Sequence, residues 1–435
     1  MNKQTRKRMN HFHGMTNKKV LIVCDMFPPA FGPRMGYLCK YMRQAGWSPV
    51  VVTEWIDDHT FAFLTDEIET HYVHYFPNAH RGKLIRRLEW LAVFTADLLF
   101  QYKSKKMARV ARERLREGGF IGVLSSTYRT FPLPVALMMA REFHLPLIAD
   151  HRDIIEQYAS DEFISRPFHT LPFIDRWITR IYRSHLLKSR NKALRQANHV
   201  TTVSPWHVEQ LAKINSNVSL IYNGYDPEIF YTKIEKTERF NMTYTGRLLS
   251  LAIRDPRPLF EAVDRLWNER KITPDKFRII WYVDQASREI LQEEAGRFDI
   301  ARFMDYRDYV PADQVPQVLW QSSISIQLAN KADENGPKGI MTTKLFEALA
   351  TERPLLCVRS DESYLERTIQ ETRSGVAARD ANTAYRFILE QYQYWQEHGY
   401  TRIEPDREAI KRFSRKSQAE QFMNLFNQLN QYHHG

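Results

Sequence analysis

The residues best placed to do chemistry lie between Gly336 and Pro354, in the stretch GPKGIMTTKLFEALATERP. Two glycines lead into a helical pattern whose first turns hold Thr342, Thr343, Lys344 and Glu347. Backbone N–H groups at a helix start favour anions, and Thr hydroxyls there can cap the helix or meet a phosphate. Lys344 and Glu347 are three residues apart, so they share a helix face, about 4.5 Å apart along the axis. An ammonium beside an anion site, with a carboxylate one turn deeper, suits a nucleotide: the first meets the diphosphate and the second accepts hydrogen bonds from ribose hydroxyls. The same spacing also fits an ordinary exposed Lys/Glu pair on an amphipathic helix.

Other polar residues follow apolar runs. Gly246-Arg247 closes one such run, and Arg254-Asp255-Pro256-Arg257 adds cations shortly after. Asp150-His151-Arg152-Asp153 closes another, where a carboxylate would project towards a second substrate. Each of these, taken alone, fits a helix cap or a surface ion pair equally well. No GxGxxG follows the first apolar run, and no GxxxxGK[ST], HExxH or Asp-x-Asp occurs. The dinucleotide fingerprint, the triphosphatase loop, the zinc-protease pair and the usual carboxylate clamp for a nucleotide-bound divalent metal are therefore missing. Phosphate binding would rest on backbone amides, Lys and Arg, with no metal.

The elements that must position these residues read as alternating buried strands and helices, the pattern of parallel sheets with crossover connections. Val20–Cys24 is a continuous apolar run, as a strand buried on both faces requires. A Pro/Gly loop, a helix over about Met35–Gln44 and a strand at Val50–Thr53 complete a βαβ unit. Further strands are expected at Ile121–Ser125, Leu147–Asp150, Val200–Val203 and Val218–Tyr222. The pattern restarts with Phe240–Tyr244, a helix over about Pro258–Glu269, and strands at Phe277–Tyr282, Phe303–Tyr306, Ser323–Leu328 and Pro354–Val358. The turn-rich stretch Asn223–Lys236 reads as the linker. The expected organisation is a basic extension (1–17), one doubly wound domain (18–230), a second (231–406) and a C-terminal helix (407–435). Ligands in such sheets bind beyond the carboxyl ends of the strands, and two such domains facing one another would enclose a cleft.

The 435 residues, with 26% charged and 13% aromatic, exclude bulk disorder and a fibrous chain. Three cysteines without CxxC spacing exclude a disulfide framework and a structural zinc site, and fit a reducing compartment. Residues 1–200 hold 31 basic and 18 acidic side chains, against 31 and 33 in residues 201–435, so the net +11 comes from the first half. An anionic partner is expected there. Two segments, Arg81–Arg116 and Arg166–Arg195, mix Lys and Arg with Trp90, Phe94, Leu98, Trp177 and Ile181. Such segments fit helices lying on an anionic bilayer, and equally fit amphipathic helices packed on their own domain. No nucleic-acid-binding pattern accompanies the charge. The apolar stretch Trp90–Phe100 is too short to span a membrane, and the N-terminus lacks the apolar region of a signal peptide. The expected location is cytoplasmic, peripheral at the inner face of the plasma membrane.

Taken in order, these segments resemble the retaining glycosyltransferases of family 4, of GT-B fold, over nearly the whole chain. Phe27-Pro28-Pro29-Ala30-Phe31-Gly32 is similar to the family's PPxxGG loop, with Pro33 in place of the second Gly. Thr201-Thr202-Val203-Ser204 and Asn223-Gly224-Tyr225-Asp226-Pro227-Glu228-Ile229-Phe230 resemble its TVS and NGVDxxxF segments. Thr245-Gly246-Arg247-Leu248 resembles its GRL, and Lys344 to Pro354 its EAxAxGxP. Leu147 to Asp153 is similar to a DxRD subgroup, many of whose members build bacterial surface polysaccharides. Gly339 stands where the family often has a first Glu, so only the ribose role carries over, to Glu347.

The resemblance implies transfer of a sugar, with retention, from a nucleotide-diphosphate sugar to a lipid-linked or growing glycan. It needs no cofactor beyond that co-substrate. Arg247, Arg254 and Lys344 would neutralise the diphosphate, with Gly246 and the amides of Gly339, Ile340, Thr342 and Thr343 assisting. Glu347 would hold the ribose, Gly32 would let backbone approach phosphate, and Asp150 or Asp153 would orient the acceptor hydroxyl. The last helix would return to the first domain. A nucleotide-sugar epimerase of the same fold and a non-catalytic membrane scaffold are the rival expectations.

Overall fold

The computed structural model describes residues 18–76, 82–157, 172–248, 251, 254–329, 341–359 and 364–433. The first sheet has seven strands, β1 (Lys19–Cys24), β2 (Ser48–Glu54), β3 (Glu69–Val73), β4 (Phe120–Thr127), β5 (Leu147–His151), β6 (His199–Thr202) and β7 (Val218–Leu220). Their order is β3-β2-β1-β4-β5-β6-β7. The second has six, β8 (Phe240–Thr245), β9 (Phe277–Tyr282), β10 (Met304–Arg307), β11 (Ile324–Leu328), β12 (Leu355–Val358) and β13 (Gly375–Ala378), in the order β10-β9-β8-β11-β12-β13. Every pairing is parallel. All-parallel sheets need helices on both faces, which is why β1 is apolar and buried from Val20 to Cys24.

β3 and β13 are absent from the expected strands. Each is an edge strand with a single neighbour, so β3 (ETHYV) needs no continuous apolar run and β13 begins on a glycine.

The chain divides into two compact units. One comprises the described residues up to 202, 207–221 and those from 419 on; the other comprises 203–206 and 222–418. The passage at 221–222 comes before the expected linker near residue 230. Tyr225 and Phe230 belong to the second unit's core, where they pack with Phe346 and Phe413. The C-terminal helix, expected to begin near Arg407, is broken. A short Arg407–Lys411 helix precedes an Arg415–His433 helix. The break has a local cause: Tyr225 N–H donates to the Phe413 carbonyl (3.1 Å), and Arg415 N–H donates to the Tyr225 carbonyl (2.7 Å). Gly224 permits this approach, because a Cβ there would fall 2.0 Å from the Phe413 carbonyl oxygen. Farther along, Ala419, Phe422, Met423 and Phe426 pack into the first unit's core with Val20, Ile22, Leu124 and Ile148.

In each sheet the strand order runs outward in two directions from one point. The point is β1/β4 in the first and β8/β11 in the second, and ligands of doubly wound sheets bind beyond the carboxyl ends of the strands there.

Candidate functional site

At the second sheet's switch point β8 runs into Gly246 and Arg247. Gly246 has φ +122, a conformation that L residues rarely adopt, and a Cβ built on it would fall 1.6 Å from Lys344 Nζ. The glycine thus makes room for the ammonium. Lys344 stands in the first turn of the Thr343–Thr351 helix, which follows Thr342 as its N-cap residue. Its Nζ lies 5.4 Å from the centre of the Tyr244 ring, and the Tyr244 hydroxyl donates to the Arg247 carbonyl (2.8 Å). Arg254 donates to that carbonyl as well. The Arg247 guanidinium is largely exposed; its Nε donates to the Tyr309 hydroxyl (3.1 Å) and lies 3.4 Å from Asp284 Oδ2. Thr342 Oγ1 accepts from Gln327 at the end of β11 and makes no side-chain bond to its own helix.

Arg247, Arg254 and Lys344 therefore gather at one edge with Glu347 a turn deeper. Burial, with Arg254 and Arg247 adding to it, brings the Lys344 pKa down to about 8, although Glu347 works the other way. Burial raises Glu347 to about 7, against the opposing pull of Arg415 and Lys344. Among the described residues no hydrogen bond or ion pair engages either side chain. This differs from an exposed Lys/Glu pair, whose pKa values would stay near the ordinary ones. Two shielded opposite charges, neither hydrogen-bonded nor ion-paired among the described residues, are arranged for a ligand that offers anionic oxygens at one point and hydroxyls at another.

Arg415 was not among the sequence candidates. It is buried, donates to Gln418 (3.1 Å) and Asn223 (3.4 Å), and supplies the positive field that Glu347 feels. No sequence signal marks it, since it is one of several cations in a basic helix. Gly339 and Ile340 lie outside the described residues.

The first unit's candidates divide. Asp150 is fully buried. Arg34 binds it through Nε (3.0 Å) and Nη2 (2.9 Å), and the hydroxyls of Ser126 and Thr201 each donate at 2.9 Å. Burial alone would raise its pKa, but Arg34 and the two hydroxyls outweigh burial and lower it. Its oxygens are committed to holding β4, β5, β6 and the Pro33–Gln44 helix together, so the expected contact with an acceptor hydroxyl is corrected to a structural clamp. Gly32 allows its own loop to close, with the Phe27 Cα 2.7 Å from where its Cβ would be.

Asp153 remains near the surface, hydrogen-bonded by Gln157 (2.9 Å), with burial raising its pKa. Beside it lies Asp25, directly after β1. Its carboxylate pairs with Arg152 (2.7 Å) and accepts from the Thr127 hydroxyl (3.0 Å), and burial raises its pKa despite Arg152. Asp25, Thr127, Arg152 and Asp153 come from the carboxyl ends of β1, β4 and β5, at the first sheet's switch point. The available signal for Asp25 was its place as the first charged residue after the buried run Val20–Cys24. Among the described residues no cluster of His, Cys, Asp and Glu could hold a metal ion.

No protein-family model matches the sequence, and no curated relative matches it. Solved structures do. Anabaena Alr3699/HepE, in complex with UDP and glucose, aligns over 95% of this chain and 100% of its own, at 14% identity and a TM-score of 0.58. The lipopolysaccharide outer core galactosyltransferase WaaB aligns over 94% and 99%, at 12% identity and 0.54. A structure titled as a UDP-N-acetylglucosamine 2-epimerase from Listeria monocytogenes aligns over 94% and 95%, at 11% identity and 0.50. At these identities the likeness shows the fold, which is GT-B: two Rossmann-like domains, each with an all-parallel sheet.

Proposed function

We propose that the chain is a glycosyltransferase that moves a sugar from a uridine-diphosphate sugar to a lipid-linked or growing glycan, with retention and without a metal. The observation that carries this reading is the Lys344/Glu347 pair beside Gly246 at the β8/β11 switch point, shielded and, among the described residues, neither hydrogen-bonded nor ion-paired. Arg247, Arg254 and Lys344 neutralise the charge that builds on the departing diphosphate, the point at which preorganised cations act most strongly. Glu347, whose ionised form Arg415 and Lys344 favour against the effect of burial, accepts from the ribose hydroxyls. Thr342 and Thr343 contribute the N–H groups of a helix start, which the helix itself does not engage.

The acceptor meets the first unit's switch point, where Asp25 and Asp153 orient its hydroxyl and Arg152 fixes Asp25. Support for the uridine nucleotide comes from the HepE complex, and support for a glycan acceptor from the WaaB likeness together with the surplus of positive charge in residues 1–200. Incubation with labelled sugar nucleotides, with and without membrane lipid extract, tests the reading. Label moving into lipid or glycan supports a transferase. Conversion of the donor alone, equal with and without acceptor, would make the protein an epimerase. No turnover and no nucleotide binding would leave a scaffold.

A further inference from the structure

The Lys83–Phe100 helix carries its amphipathic pattern turned outward. Leu84, Leu88, Leu91 and Leu98 recur at spacings that keep one helix face, and they are 71%, 59%, 54% and 66% exposed. Ile85 and Leu99 widen that face on one side and Phe94 on the other, with Trp90 stacked on Phe94 at 5.2 Å. The opposite, half-buried face holds Glu89, Val93, Ala96 and Asp97, and the Asp97 carboxylate accepts from the Lys103 backbone N–H (2.8 Å). A helix packed to fill its own domain's core would show the reverse. The exposed face has apolar side chains where water should meet charge.

The surroundings indicate what covers it. Residues 83–109 hold seven Lys and Arg against two acids, and residues 176–195 hold seven and none. All but Arg195 of the second group lie on the Pro172–Leu194 helix of the same unit, and the Asp97 charge reaches its Tyr182. That helix exposes Trp177 and Ile181, and along it runs an open groove of about 470 Å³ lined by Arg180, Arg183, Lys188 and Arg195, with no carboxylate in its lining. Two of these cations are paired, Lys103 with Glu54 and Arg190 with Glu156, but the surplus of positive charge remains, and an apolar face on so basic a unit is complementary to acyl chains beneath anionic headgroups. A second copy of the chain fits less well. A two-helix seam needs only a narrow stripe, whereas this face is wide, and pairing would bring two basic surfaces together.

We propose that the Lys83–Phe100 helix lies in the plane of an anionic bilayer leaflet, its leucine face among the acyl chains and the Arg180–Arg195 groove against lipid phosphates. This deepens the reading of a lipid-borne acceptor and rests on it for its purpose, but the binding itself is measured without donor or acceptor. The test is flotation of the full chain with phosphatidylcholine vesicles, with and without phosphatidylglycerol. The expected result is binding that requires phosphatidylglycerol and weakens with salt. Leu88→Glu/Leu91→Glu, two exposed positions, should weaken it about 100-fold. Arg180→Glu/Lys188→Glu should weaken it roughly 30-fold and remove most of the lipid selectivity. UDP binding by both variants, read separately, should match the wild type, so loss of vesicle binding cannot be confused with failure of the nucleotide site. Wild-type affinity in both variants, or no flotation of the wild type, overturns the proposal. So does self-association in solution that the leucine variant abolishes while vesicle binding persists.

Discussion

Lys344 and Glu347 stand one helical turn apart at the carboxyl edge of the second sheet, one pushed down to a pKa of about 8 and the other up to about 7, with neither joined to the other by an ion pair. A protein that needed the pair for stability alone would have closed it. Left open and shielded, it reduces the stability of the empty site and is relieved when a ligand satisfies both charges.

Donor binding should therefore be pH-dependent on both sides. Ionised Glu347 is the form that accepts from ribose, so affinity falls as pH drops through about 7; protonated Lys344 is the form that meets phosphate, so affinity falls as pH rises through about 8. UDP titrations from pH 5.5 to 9.5, values spanning about 1.5 units beyond each pKa, should give a bell that loses about tenfold per unit on each limb. Lys344→Arg should flatten the alkaline limb and Glu347→Gln the acid limb.

The same shift carries a stability consequence of opposite use. The folded Glu347 holds its proton to about 7 while the unfolded chain releases it near 4.5, so the empty protein loses stability as pH rises between those values. Glu347→Gln should leave thermal stability unchanged at pH 4 and raise it at pH 8, by at most about 3 kcal/mol. Differential scanning fluorimetry without nucleotide checks the sign.

Gly246→Ala should act on function more than on the fold. The added methyl takes the place of the Lys344 ammonium and requires an L residue at φ +122. We expect a stability loss of about 1–2 kcal/mol and a larger fall in UDP affinity, about tenfold or more, because the displaced ammonium contributes about 1.5–3 kcal/mol to a charged hydrogen bond.

Asp150 and Asp25 should separate cleanly. Asp150→Ala leaves the Arg34 guanidinium buried without its partner and should cost about 3–5 kcal/mol of stability. A paired Arg34→Met/Asp150→Leu change should recover much of it. Asp25→Asn should leave UDP binding and melting temperature near wild type and lower turnover with acceptor. Parallel melting and activity measurements distinguish the two.

The sequence made the interior strands legible because parallel central strands are apolar on both faces; β1, β4, β9 and β12 fall within two residues of their expected bounds. It could not show β3 or β13, whose edge positions relax that demand. Lys344, Glu347, Arg247 and Arg254 were readable as a group from helix spacing and strand ends. Asp150 was not readable as a clamp, because its partner Arg34 is far away in sequence and only the fold brings Ser126 and Thr201 to it. Arg415 was hidden for the same reason. At Glu352 the structure holds a left-handed residue (φ 52) where glycine is the easier choice, its carboxylate tied to Arg407 at 2.7 Å. That ion pair explains how the turn tolerates a side chain, and no local pattern announces it.

Calorimetric titration of UDP into the wild type, Lys344→Ala and Glu347→Ala at pH 7.5 tests the central claim most directly. The pair-as-nucleotide-clamp account predicts saturable wild-type binding, weakened at least tenfold by either substitution, with all three proteins folded. Equal UDP affinity in all three would contradict it.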